Sequence, residues 1–393
     1  MQDTRGSRPA PRLVAVAAFA LLAGNAAHAV DWTGYMRGGP AATTVSGESR
    51  QCYGLNSPGL KYRLGNECDF YGEFQLAQAM KADGVDFNAV LMTNFYSPQS
   101  ETNHDYGIEQ AYVEMKGVDI APGALFWMGK RRDRDDVHIV DTFFTNMSGV
   151  GAGVENIDAG FGKFGFAGYK TDANGGANGI ARLHAQLYDI KANPDGKLRF
   201  VATFSKADSQ GGQKGKDGFG LTAEHVQDKF FGGGNHIWVQ YAQGSTNINQ
   251  GFGNALADSD TKTYRIVESP SWQIGSFGGQ AIALYQHDKT DTTTWNSYSL
   301  GGRGSLAMTK NLKFLAEVGY SNRKESGGPS ENLTKVTVGP ALSTGPDFWK
   351  RPELRLYATF ASFNHAAAMD PQNGLPVNKT SAVSYGAQVE IWF

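Results

Sequence analysis

The residues best suited to chemistry lie in one short run, residues 130–141. Seven of its first nine residues are charged, with three arginines and three aspartates. Fixed charges of both signs fit either a solvated surface loop or the lining of a polar, water-filled passage that hydrogen-bonds a hydroxyl-rich solute. No apolar stripe runs through it, which predicts a loop rather than an amphipathic helix or a half-buried strand.

The carboxylates of this run could also serve an enzyme, since glycosidases use two carboxyl groups at a defined separation. The candidates are Asp133, Asp135, Asp136 and Asp141. They show no partner pattern, and the chain has neither a Gly-x-Ser-x-Gly nucleophile motif nor a phosphate-binding loop. The glycines at positions 149, 151 and 153 lack the dinucleotide-binding spacing. The sequence therefore predicts no catalytic residues, no metal and no cofactor.

The first 29 residues are expected to be a cleaved signal peptide. Arg5, Arg8 and Arg12 form a positive region, residues 13–23 are apolar but too short to span a bilayer, and residues 27–29 fit a cleavage site. Removing these three arginines and one aspartate changes the net charge from −2 to −4. A mildly acidic exported chain gives no reason to expect a nucleic-acid partner.

Apolar and polar residues alternate along several segments, and a period of two is typical of β-strands. In residues 381–393, for example, Tyr385 and Val389 fall on one face while Gln388 and Glu390 fall on the other. The pattern recurs in residues 31–37, 69–76, 198–205 and 353–360. Beyond the signal peptide no segment has the ~18 consecutive apolar residues of a membrane helix.

Polar, Gly-rich tracts separate these segments and leave room for about a dozen and a half strands of ~9–11 residues. We find no boundary, and predict one all-β domain over residues 30–393. A soluble β-sandwich points apolar residues inward, whereas a transmembrane barrel points them at lipid and its polar residues at the lumen. Export and the aromatic last residue favour an antiparallel β-barrel in the bacterial outer membrane.

The chain has two cysteines, Cys52 and Cys68, both in the exported part. The compartments beyond the inner membrane permit disulfides. A bridge between them would close a short loop after the first strand and rigidify it. Two cysteines without a histidine cluster do not form a metal site. The sequence therefore predicts a disulfide.

Ordered stretches along the whole exported chain resemble the maltoporin family. They are residues 30–37, 61–68, 129–131, 136–138, 149–158, 222–225 and 389–393. The resemblance implies an 18-stranded antiparallel barrel, a homotrimer in outer-membrane lipid, and a third loop, the charged run, folded into the lumen. It implies passive diffusion of maltose, maltodextrins or another oligosaccharide along a ladder of aromatic residues flanked by ionisable ones.

The resemblance places this aromatic slide at Tyr35, Tyr71, Trp349 and Trp392. The sequence supports this independently, because each aromatic shares parity with polar residues of what we expect to be its strand, the face that lines a wet lumen. The faces of a pyranose ring are apolar and stack on aromatic rings. The family's entrance tryptophan comes from a neighbouring subunit; here Tyr106 or His104 would replace it.

The resemblance also supplies the polar residues that would bond to sugar hydroxyls. The constriction would contain Phe143, Arg134, Asp136 and Asp141. The polar track would contain Arg37, Arg63, Glu73, Glu109 and Asn235. Besides the missing entrance tryptophan, the chain departs from the family at three positions. Phe143 replaces a tyrosine, Glu109 replaces an arginine, and Gly234 replaces a slide phenylalanine, with Phe230 and Phe231 nearby. These departures favour a different or smaller sugar.

Three alternatives remain open at this point. A general-diffusion porin would have the same barrel without a saturable sugar site. A secreted carbohydrate-binding β-sandwich would use aromatics and carboxylates on a soluble protein, as would a glycosidase. The aromatics on polar faces favour the sugar-selective channel.

Overall fold

The computed structural model describes residues 30–98, 104–171, 179–208 and 215–393. The predicted signal peptide, residues 1–29, lies outside the described residues. The strands are β1 (Asp31–Gly38), β2 (Ala41–Thr43), β3 (Phe70–Ala82), β4 (Val85–Ser97), β5 (Asp105–Lys116), β6 (Leu125–Arg131), β7 (Arg134–Val137), β8 (Thr142–Asn146), β9 (Gly149–Asp158), β10 (Lys163–Lys170), β11 (Ile180–Asn193), β12 (Gly196–Ala207), β13 (Gly218–Phe230), β14 (Gly233–Gln243), β15 (Lys262–Ile274), β16 (Phe277–Lys289), β17 (Thr294–Ala307), β18 (Leu312–Glu325), β19 (Ser330–Ser343), β20 (Glu353–Phe363) and β21 (Ser381–Trp392).

The strands form one closed antiparallel barrel. The sheet has 19 strands, of which the three-residue β2 is a short addition on β21, so 18 strands form the wall. Closure comes from the first and last strands, since Arg37 of β1 pairs with Glu390 of β21. A single helical turn, α1 (His365–Met369), and a 3-10 turn, Pro371–Asn373, lie between β20 and β21. Among the described residues, no helix is both long enough and apolar enough to cross a membrane.

The two ends of the barrel differ in their connections. At one end the strands are joined by short turns, such as residues 83–84, 194–195 and 231–232. At the other end long segments join them, among them residues 39–69 and 244–261. Outer-membrane barrels have short periplasmic turns and longer extracellular loops. We therefore call these the short-turn end and the long-loop end.

The alternation of the sequence becomes the two faces of the wall. On β20, Leu354, Leu356 and Phe360 are 56%, 61% and 53% exposed on the outside, whereas Glu353 and Arg355 are buried on the inside. The polar-inward, apolar-outward pattern is that of a transmembrane barrel, not of a soluble sandwich. The predicted all-β barrel is confirmed.

The segment between β1 and β3 folds back against the lumen face of the wall. The hydroxyl of Tyr62 lies 2.7 Å from Ser299 of β17, and the backbone N–H of Leu64 donates to Glu317 of β18 at 2.9 Å. A β carbon at Gly319 would overlap the Tyr62 ring, so this close packing requires glycine there. We call residues 53–67 the inner segment.

The disulfide ties the two ends of the inner segment together. Cys52 and Cys68 are bonded, with 6.0 Å between their α carbons. The predicted bridge is confirmed. Because it flanks residues 53–67 directly, it restricts the conformations of a segment that carries Arg63 and Glu67 into the lumen.

The charged run does not form the simple loop that its polarity predicted. Arg134–Val137 pairs with Thr142–Asn146, so β7 and β8 form a short hairpin. The reason is tertiary, because side chains of opposite walls bind it. Arg37 of β1 holds Asp141 at 2.7 Å, and Arg199 of β12 holds Asp135 at 2.7 Å. These contacts place the hairpin across the interior.

An apolar cluster joins the hairpin and the inner segment to the wall. Phe144 stacks on Trp238 of β14, with ring centroids 5.3 Å apart. The members of the cluster are Leu60, Tyr62, Val137, Ile139, Val140, Phe144, Trp238, Val267, Ile282, Leu284 and Phe348. All are at most 4% exposed, so a dry core lies within the barrel on the side of β14 to β16.

Candidate functional site

Three of the predicted slide aromatics lie on adjacent strands. Tyr35 of β1 is the cross-strand partner of Trp392 of β21. The rings of Tyr35 and Tyr71, the latter on β3, have centroids 6.2 Å apart. Tyr71 pairs with Arg37, two residues from Tyr35, so the three aromatics lie at nearly the same level of neighbouring strands. We call these three residues the aromatic strip.

Trp349 reaches this strip by a route that differs from the prediction. It lies in the turn between β19 and β20 rather than on the polar face of a strand. The turn folds inward because its neighbour Phe348 belongs to the apolar cluster. This leaves Trp349 41% exposed at the short-turn end of the aromatic strip.

His138 links Trp349 to Trp392, and sequence reasoning did not single it out. Its ring centroid lies 5.5 Å from that of Trp349 and 5.4 Å from that of Trp392. Burial lowers the pKa of His138 to about 4, and Arg63 and Arg351 act in the same direction against Glu390. The imidazole is therefore a neutral aromatic ring at neutral pH. The available sequence signal was parity. His138 has an even-numbered position, as Arg134 and Asp136 do, so alternation predicts that it shares their face.

An ion-pair network lies beside the aromatic rings of the site. Arg37 binds Asp141 at 2.7 Å and Asp69 at 2.9 Å. Arg63 binds Glu67, and binds Glu390 at 3.1 Å. Burial raises the pKa of Asp141, but Arg63, Arg37 and Lys61 outweigh it and lower the pKa to about 2. This network fixes the cations beside the Tyr35 and Tyr71 rings and keeps them charged.

Glu73 and Glu109 are brought together by Arg132, which the sequence did not identify as a site residue. Arg132 lies 2.7 Å from Glu73 and 2.8 Å from Glu109. Glu109 is the extra residue of a β-bulge, because Met92 pairs with Gln110 and the next pair skips one position. A bulge re-aims a side chain. Here it turns Glu109 into the lumen, where Arg132 binds it.

Arg134 and Asp136 have the most hydrogen-bonding capacity left for a ligand. The guanidinium of Arg134 stacks on Phe143 at 4.2 Å, and its nearest carboxylate, Glu73, is 3.8 Å away. Asp136 is exposed, and within the described ranges its carboxylate has no ion pair or hydrogen bond. A guanidinium and a carboxylate two residues apart on one strand can donate to and accept from neighbouring hydroxyls.

These groups enclose one cavity of about 420 Å³, which we call the slide cavity. It contains every predicted site residue except Trp349, Tyr106 and Asn235. Its lining residues are Tyr35, Arg37, Arg63, Tyr71, Glu73, Asn94, Glu109, Arg132, Arg134, Asp136, His138, Asp141, Phe143 and Trp392. Aromatic faces line one part of the cavity and charged donors and acceptors line the rest, which suits a polyhydroxylated ring.

Tyr106 and Asn235 lie away from this cavity. Tyr106 is 80% exposed, near the long-loop end of β5. Asn235 has the opposite parity to the lumen-facing Trp238, and it donates to Glu268 at 3.0 Å. Phe230 and Phe231 lie at the short turn between β13 and β14. Asn235 therefore faces away from the lumen, because residues of opposite parity on a strand point to opposite faces of the sheet.

A model of the LamB porin family matches residues 30–393. The chain belongs to the LamB porin family. This match covers the part of the chain that forms the barrel and confirms the predicted relationship to maltoporins. The protein is accordingly an outer-membrane porin, and both its family and its fold are those of non-enzymatic channels.

A solved structure agrees with the fold of this LamB porin. The Salmonella typhi OmpF complex with daunomycin has a TM-score of 0.50 and 10% identity, over 92% of this chain and 97% of that one. At this identity it shows the fold alone. The anion-selective porin from Comamonas acidovorans has a TM-score of 0.47 and 11% identity, over 92% of this chain and 99% of that one.

Proposed function

We propose that this porin is a passive, sugar-selective channel. A saccharide enters from the long-loop end, stacks on Tyr71, Tyr35 and Trp392 in turn, and leaves past His138 and Trp349. Its hydroxyls exchange bonds with Arg134 and Asp136 as it moves. Several weak sites in series let a solute enter and still leave.

One observation carries this proposal. Tyr35, Tyr71 and Trp392 lie side by side on the lumen face of adjacent strands, and all three line the slide cavity beside charged groups. A pore that only admits small polar solutes by diffusion has no need of aromatic rings in its wall. A row of exposed ring faces is what a pyranose needs for stacking.

The biological setting is part of the same proposal. A signal peptide at residues 1–29 directs export, and the mature chain forms a homotrimer in outer-membrane lipid. In this proposal the exposed Tyr106 serves the entrance of a neighbouring subunit, in place of a tryptophan. The substrate is maltose, a short maltodextrin or another oligosaccharide, and no covalent step is involved.

Ion current through the purified protein in a planar bilayer tests the proposal, with maltose, longer maltodextrins and sucrose titrated in turn. Saturable block by at least one sugar is expected, because a bound sugar obstructs the ions. The order of the sugars would show how Phe143 and Glu109 affect the preference. Steady current with every sugar would instead identify a general-diffusion porin.

A further inference from the structure

A second, larger cavity lies on the long-loop side of the hairpin. Its volume is about 910 Å³, and it shares Arg132, Arg134 and Glu109 with the slide cavity. We call it the vestibule. Because the two cavities share residues, they adjoin each other.

The charges around the vestibule are strongly unbalanced. The described residues that line it and carry charge are Lys130, Arg131, Arg132, Arg134, Lys170, Arg182 and Glu109. Lys130 and Lys170 alternate with the lumen-facing side chains of Arg131 and Tyr169, so they belong to the outer face. Four arginines against one glutamate then face the lumen.

Two of these four arginines are neutralised by partners. Arg131 forms two hydrogen bonds with Glu155, at 2.7 and 3.2 Å. Arg132 lies between Glu73 and Glu109. Among the described residues of the vestibule, Arg134 has only a distant carboxylate partner, Glu73 at 3.8 Å, and Arg182 has no ion pair.

Arg182 is the most unusual of the four. It is 1% exposed and lies between two rings, 4.6 Å from Tyr169 and 3.9 Å from Phe252. Its Nη2 donates to the carbonyl of Ser148 at 2.8 Å. In the part of the chain described, its Nε and Nη1 have no hydrogen-bond partner and it forms no ion pair. Leaving a buried cationic donor unpaired is unfavourable.

A carboxylate would supply the ion-pair partner that Arg182 lacks. Hydrogen bonds between a guanidinium and a carboxylate are about twice as strong as neutral ones. Phe252 belongs to the connection between β14 and β15, whose Asn249 accepts a hydrogen bond from Asn146 at 2.7 Å. Arg182 lines the vestibule, and the cover over it is thus a loop rather than the barrel wall.

We propose that the vestibule binds the carboxylate of an acidic oligosaccharide, held by Arg134 and Arg182, before the sugar enters the slide cavity. The inference rests on the proposed sugar channel and specifies the substrate class as sugars that contain uronic acid units. Asn146 and Ser148, which also line the vestibule, offer polar atoms to the hydroxyls of the same sugar.

The test is block of ion current by a matched pair of sugars, a digalacturonate and a neutral disaccharide. The acidic sugar should block at a concentration at least tenfold lower, equivalent to about 1.4 kcal/mol. Raising the salt from about 0.1 to about 1 M should reduce that advantage, since the screening length falls from about 10 to about 3 Å. Acetate at equal ionic strength should not block, which separates an acidic sugar from a simple anion.

Substitutions show which residues cause the preference for the acidic sugar. Arg182→Gln and Arg134→Gln should each narrow the ratio between the acidic and the neutral sugar by several-fold. Lys81→Gln removes an exposed cation beside the short turn at residues 83–84 and should leave the ratio unchanged. Should Arg182→Gln fail to assemble, Arg134→Gln carries the test, because Arg134 is only partly buried and lies on the hairpin.

The outcomes separate this inference from the proposed function. Equal block by both sugars overturns the inference and leaves the sugar channel standing. Block by the acidic sugar alone supports the inference and overturns neutral saccharides as substrates. Absence of block by either sugar overturns both. A preference that survives in both arginine variants overturns the assignment to Arg134 and Arg182.

Discussion

The two sides of the lumen are built from the same kind of strand but are used differently. On β1, β3 and β21 the inner face carries the aromatic strip, which is open to the slide cavity. On β14 to β16 the inner face carries Trp238, Val267 and Ile282, all buried at 1% exposure or less. These three residues lie under the hairpin and the inner segment.

The difference shows what polar-inward alternation means in a narrow barrel. A wall that faces water carries polar or amphipathic side chains inward. Apolar residues on the inward face of a strand mark the place where a loop docks, because they need a dry partner. The buried Val267 and Ile282 therefore mark where the hairpin lies on the inner face, as the ion pairs of the hairpin also do.

The largest effect is expected from a change in the covered side. Phe144→Ala removes a fully buried ring from the apolar cluster, and such truncations cost about 3–5 kcal/mol. The hairpin should detach from β14, so that single-channel conductance rises and sugar block disappears. Phe360→Ala, on the lipid-facing side of β20, is the control and should conduct as the parent does. Parental conductance in the Phe144 variant would mean that the hairpin is held without the cluster.

A substitution on the open side should weaken sugar binding without lowering the conductance of the pore. Trp392→Ala removes one ring of the strip and should weaken sugar block by about tenfold, or ~1.4 kcal/mol. The open-channel current should not fall, because the wall strand is retained. Trp32→Ala removes an exposed tryptophan from the outer face of β1 and should change neither quantity. Unchanged block in the Trp392 variant would remove the slide hypothesis.

A smaller effect is expected from the charge that faces the slide cavity on the hairpin. Asp136→Asn removes an unpaired carboxylate and should shift the reversal potential in a salt gradient toward anion preference. Asp86→Asn, an exposed carboxylate beside a short turn, is the matched control. Equal reversal potentials for the two variants would place residue 136 outside the ion path.

The smallest effect concerns pH. His138 is neutral above its pKa of about 4, so sugar block should be constant from pH 8 to 5 and weaken as the pH falls through about 4. Protonation then places a third cation beside Arg63 and Arg351. Asp141, with a pKa of about 2, stays ionised over this range and cannot cause the change. Burial and Asp141 raise the pKa of Asp136, so Asp136 also protonates in this range. The transition should be smaller in His138→Gln and absent when Asp136→Asn is added, and a transition unchanged in His138→Gln would assign it to another group.

Much of the open side could be predicted from the sequence because it depends on local rules. Period-two alternation fixes which side chains share a face, and this rule alone is enough to assign Tyr35, Tyr71 and Trp392 to the lumen of a barrel. The pairing of Cys52 with Cys68 followed from there being two cysteines in an exported chain. The resemblance to maltoporins then added the roles of residues such as Arg37 and Asp141.

The features that only the tertiary structure decided depend on contacts between residues far apart in the chain. His138 meets Arg351 from 213 positions away, and Tyr62 meets Ser299 from 237. A single bulged residue turned Glu109 into the lumen, and the lack of an ion-pair partner among the described residues made Arg182 stand out. Periodicity fixes the face of a strand, but the closing of the barrel determines which faces are covered by a loop and which are left to a ligand.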